Sequence, residues 1–171
     1  YQDKGKPLTE EQLSVLQTAV DGRVRIDKSN SDFMLNFFWA VGLVNKNPIL
    51  ETGEMMEGGR GQVGNFASTG GWTLGAKPAT ELYSNVEIIK LTPDQQARVE
   101  EVSQNTYRPC CGNSTHFPDC NHGMALLGLL ELMASQDATV DEMFLAAKQV
   151  NAFWFPDQML EVATYFQAVE G

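Results

Sequence analysis

The chain holds three cysteines and two histidines, and all five fall in the run Cys110-Cys111-Gly112-Asn113-Ser114-Thr115-His116-Phe117-Pro118-Asp119-Cys120-Asn121-His122. Thiolate and imidazole are the donors that zinc, copper and iron favour, and four of them complete a tetrahedral shell. The clustering predicts a transition-metal centre, either an iron-sulfur cluster or a mononuclear zinc, copper or iron site. Its expected ligands are Cys110, Cys111, Cys120 and His122, with His116 as the alternative imidazole.

The spacing narrows the choice. Zinc knuckles pair their cysteines across two to four residues, whereas Cys110 and Cys111 are adjacent. Adjacent cysteines are compatible with an iron-sulfur cluster. Covalent haem is disfavoured because Cys-x-x-Cys-His does not occur. Cys120, His122 and Met124 follow the ligand order of a blue-copper loop, but the helical setting departs from that design. Two metal-free readings stand beside the metal. In one, Cys120 is a reactive thiol that Cys110 or Cys111 resolves, as in thiol-disulfide redox proteins. In the other, a Cys110 or Cys111 bridge to Cys120 staples a loop of an interaction module. An odd number of cysteines would leave one sulfur over, which favours ligation.

The elements that position this run read as helices announced by caps. Thr9-Glu10-Glu11-Gln12 has the capping-box form and opens a stripe of Leu13, Val15, Leu16 and Val20. Phe33, Met34, Phe37, Phe38, Val41 and Val44 recur at helical spacing over 31–44. Thr92-Pro93-Asp94-Gln95 combines a cap, a first-turn proline and the capping-box glutamine, and opens a helix to about Tyr107. Further helices are expected from about Asn121 to Ser135, from Thr139 to about Phe153, and from Pro156 to about Val169. Cys120 and His122 therefore lie at a helix mouth, where unpaired amides and the helix dipole favour anionic sulfur. Gly123 and Gly128 on that helix would admit a closely approaching backbone or cofactor.

Between these helices, residues 51–78 are rich in glycine and lack periodicity, which predicts a long loop folded back on the body through Phe66, Trp72 and Leu74. Val86-Glu87-Ile88-Ile89 suits one short strand. The expected architecture is mainly α, a compact single-domain bundle of about six helices over 1–171 with at most one or two short strands. The apolar set Met124, Leu126, Leu127, Leu130 and Met133 reads as core, and Phe153-Trp154-Phe155 as core that is able to wall a buried centre.

Other motifs carry less chemistry. Gly58-Gly59-Arg60-Gly61 lacks the Lys-Ser/Thr ending of a phosphate loop. Glu51, Glu54 and Glu57 read as solvated. A hydrolase triad would consume one of the two histidines, so an enzymatic role would be redox chemistry. The formal net charge of -10, with basic residues scattered singly, argues against nucleic acid. No stretch reaches the roughly 20 apolar residues of a membrane span. The expectation is a soluble protein, extracytoplasmic if a signal or lipid anchor precedes Tyr1, with a redox or metal-transfer protein as partner.

Overall fold

The computed structural model describes residues 7–17, 24–71 and 76–170. Val20, Trp72 and Leu74 lie outside the described residues. Eight α-helices form among those described: α1 (Glu10–Gln17), α2 (Ser31–Val44), α3 (Pro48–Thr52), α4 (Ala79–Leu82), α5 (Pro93–Asn105), α6 (Asn121–Ser135), α7 (Val140–Trp154) and α8 (Pro156–Glu170). The fold is mainly helical, as the caps and stripes predict. Two short helices, α3 and α4, come in addition to the six expected.

The caps do the work their sequences imply. Thr92 accepts from Gln95 N while the Gln95 side chain accepts from Thr92 N, and Thr139 and Glu142 repeat the arrangement at α7. Each pair satisfies two amides that a helix start would otherwise leave open. Thr9 and Gln12 exchange the same two bonds at α1.

The core is organised around α6, which is buried continuously from Gly123 to Glu131. A helix apolar on every side needs neighbours on every side. Its most extensive contact is with α2, and α5 and α7 also pack on it. The α2 and α6 backbones cross at Gly42 and Gly128. A Cβ at Gly42 would stand 2.2 Å from Met124 O, and one at Gly128 would stand 2.4 Å from Phe38 O. Only two glycines facing each other permit an approach this close. Met124, Leu126, Leu127 and Leu130 are fully buried in the core, with Met133 partly buried at its edge.

Two expectations change. The segment 51–78 is not one structureless loop. It begins inside α3 and continues through 3-10 turns at Glu54–Met56 and Arg60–Asn65. Phe66 does fold back, meeting Phe117 edge to face at 5.5 Å between ring centroids. The strand at Val86–Ile89 does not form; a single bridge pairs Asn45 with Val86. Its amides have a different acceptor, because Asn45 Oδ1 takes both Ile88 N and Ile89 N, at 2.9 and 2.8 Å. A β run with no partner strand turns to whatever acceptor lies nearest.

At the far end, α8 follows α7 with none of its residues buried, and Leu160, Val162, Tyr165, Phe166 and Val169 are exposed.

Candidate metal centre

The segment leaving α5 is pinned before it reaches the cysteines. Thr115 N and Oγ1 both donate to Thr106 O, at 2.8 and 3.0 Å, and His116 N donates to Ser103 O at 3.1 Å. Tyr107 and Ser114 form an antiparallel bridge. The chain reverses between them, with Gly112 at φ 71° and Gly112 N donating to Arg108 O. That φ lies in the left-handed region where glycine is at no disadvantage. Cys110 and Cys111 sit on this turn and are exposed.

Beneath the turn lies Arg108, whose side chain is fully buried and ion-paired at 2.7 Å with Asp119. Its guanidinium also donates to Asn113 O at 3.2 Å, to Phe117 O at 2.8 Å and to Cys120 Sγ at 3.1 Å. A buried cation needs this degree of satisfaction to stay in place. Asp119 is held on its other oxygen by Asn113 Nδ2 at 3.0 Å, and Asp119 O accepts from Ser68 N. Ser68 O in turn accepts from Trp39 Nε1 at 2.7 Å, which ties the site to α2.

Gly123 supplies the room for Arg108. A Cβ there would fall 1.9 Å from one guanidinium nitrogen and 2.7 Å from its carbon. The two glycines of α6 thus serve different neighbours, Gly128 a helix backbone and Gly123 a buried side chain.

Cys120 occupies the N-cap of α6, and His122 follows in its first turn. The His122 ring packs against Phe155 at 4.4 Å and Trp154 at 5.8 Å between centroids, whereas Phe153, expected in the core, is exposed. Burial, and then the Arg108 cation, push the His122 pKa down from its ordinary value, which favours the neutral, ligating imidazole. The Cys110 thiol is pushed up to about 12, first by desolvation and then by the neighbouring Cys120 and Cys111 sulfurs. Crowded thiols resist ionising together.

All three cysteines are free. Cys110 Sγ stands 3.7 Å from Cys111 Sγ and 3.8 Å from Cys120 Sγ, well beyond the roughly 2.05 Å of a disulfide. Among the described residues, ligand atoms gather into two groups within 4.8 Å, one of Cys110, Cys120 and His122 and the other of Cys111, Asp119 and Cys120. The expected ligands Cys110, Cys111, Cys120 and His122 are therefore neighbours, although neither group contains all four. His116 joins neither group. Glu51, Glu54 and Glu57 are exposed and also stay outside.

Asp119 and Arg108 were not foreseen as parts of the site. Asp119 sits inside the Cys/His run, and its position beside Cys120 was the available signal. Arg108 had none, because an isolated arginine two residues before a cysteine reads as surface until the turn closes over it.

Among the described residues no helix is long and apolar enough to cross a membrane. Compared with known protein families, curated proteins and solved structures, the chain matches none.

Proposed function

We propose that this chain is a single helical domain that binds a transition metal through Cys110, Cys111, Cys120 and His122 and hands it to a protein partner. The observation that carries the reading is the sulfur spacing. A tetrahedral ion with metal-sulfur bonds of about 2.3 Å requires sulfurs about 3.8 Å apart, and the Cys110 to Cys120 separation is 3.8 Å. His122 lies within 4.8 Å of both. The metal would supply Lewis acidity or thiolate exchange, and the chain supplies the setting. Arg108 offsets the charge of a Cys120 thiolate, Asp119 and Asn113 hold the turn, and Trp154 and Phe155 fix the His122 ring.

Metal handling is favoured over a closed structural or electron-transfer centre by the exposure of Cys110 and Cys111. Thiolates at the surface allow a partner's ligands to attack the bound ion directly, whereas a closed shell retains it. An acidic chain of net charge -10 suits a basic partner.

The test is elemental analysis and an ultraviolet-visible spectrum of anaerobically purified protein, with free thiols counted in denaturant. The expected result is stoichiometric metal and three titratable thiols after its removal. Visible charge-transfer bands with iron would assign the ion to an iron-sulfur centre instead of zinc or copper. A second reading, thiol-disulfide exchange, is favoured by the same Cys110 to Cys120 approach and by the Arg108 hydrogen bond to Cys120 Sγ. Two thiols missing with no metal present would select it and refute the metal.

A further inference from the structure

We propose that the centre holds two soft metal cations sharing the Cys120 sulfur, one completed by Cys110 and His122 and the other by Cys111 and Asp119. This rests on the metal-binding reading above and goes beyond it in number and arrangement.

The ligand atoms are distributed around Cys120 in two directions. Cys110 and His122 group with it on one side, Cys111 and Asp119 on the other, and Cys120 is the one residue common to both. A single tetrahedral ion accepts four ligands, whereas five converge here. A thiolate sulfur has lone pairs to spare for a second ion, so the shared residue is also the one whose chemistry allows sharing.

Charge points the same way. Once metal has displaced the thiol protons, three thiolates and the Asp119 carboxylate, set against the Arg108 guanidinium, would leave three net negative charges. One divalent ion leaves one of these uncompensated, and a second ion is attracted to it. Asp119 is oriented for the task. Arg108 holds one of its oxygens at 2.7 Å and Asn113 the other at 3.0 Å. Each oxygen keeps a lone pair free, and such outer hydrogen bonds are what aim a ligating carboxylate. Two thiolates with an imidazole on one side, and two thiolates with a carboxylate on the other, suit ions of the zinc and cadmium class.

The experiment is anaerobic titration of the reduced, metal-free chain with cadmium, followed by gel filtration and native mass spectrometry. Two cadmium ions per wild-type chain are expected, one in Cys111→Ser, one in His122→Ala and none in Cys120→Ser. Cys111 is exposed, so its substitution leaves folding intact, and far-ultraviolet circular dichroism checks each variant. One ion in the wild type overturns the two-ion arrangement while leaving the metal-binding reading standing. No ion overturns both. Two ions retained in Cys111→Ser overturn the assignment of the second position.

Discussion

Gly123→Ala and Arg108→Ala should destabilise the metal-free chain for one shared reason, and a double-mutant cycle can read it. Arg108 is fully buried and makes four side-chain hydrogen bonds, to Asn113, Phe117, Asp119 and Cys120. Removing one partner of a buried ion pair costs about 3 to 5 kcal/mol. Because the Asp119 side chain is 23% exposed, water recovers part of the loss, and about 3 kcal/mol is expected for Arg108→Ala. In Gly123→Ala the new methyl would lie 1.9 Å from the guanidinium. The arginine must leave, so the same bonds are lost, offset by up to about 1 kcal/mol of helix propensity. With Arg108 already gone, the methyl meets mainly Pro118 Cα at 3.1 Å, a distance that small shifts relieve. The double variant should therefore be no less stable than Arg108→Ala, giving a coupling of about 2 kcal/mol or more. Urea unfolding followed by circular dichroism, with unchanged m-values, measures all three. Additive losses totalling about 5 kcal/mol would refute the claim that Gly123 exists to seat Arg108.

Three further outcomes follow from other parts of the fold. Glu131 is buried in the core, with one oxygen accepting from Asn47 Nδ2 at 2.7 Å and the other without a hydrogen-bond partner; burial pushes its pKa from 4.5 up to about 8. The folded chain then holds a proton that the unfolded chain releases, so the contribution to stability is complete below pH 4.5 and falls as pH rises to about 8. The total is on the order of 5 kcal/mol, and urea midpoints at the two ends of that window should converge in Glu131→Gln relative to wild type. Gly42→Ala and Gly128→Ala should each cost about 3 kcal/mol despite better helix propensity, because each methyl would strike backbone; thermal unfolding tests both. Thr139→Ala should lose about 1 kcal/mol with the capping box of α7, read as a lowered urea midpoint.

How far the sequence foretold the molecule depends on whether the information was local. The capping boxes at Thr92 and Thr139 are complete within four residues, and both helices begin where those residues stand. The cysteine and histidine run was legible for the same reason, since its members are neighbours along the chain. Val86–Ile89 misled because a strand is defined by its partner, and the partner here is the Asn45 side chain. Gly123 was legible as a position of close approach, but what approaches it is Arg108, fifteen positions earlier and brought in by a turn at Gly112. The division of the candidate ligands into two groups around Cys120 is likewise a property of three-dimensional placement.

The exposure of α8 gives the protein two levels of cohesion. A 15-residue helix with no buried side chain relies largely on its own hydrogen bonds, and isolated helices of about 12 to 15 residues are marginal in water. It opens at far less cost than the core. Its amides should exchange with solvent early, while those of α6 wait for global unfolding. The boundary between the two regimes falls at Phe155, whose ring rests on His122, so the candidate metal centre lies where the durable part of the molecule ends.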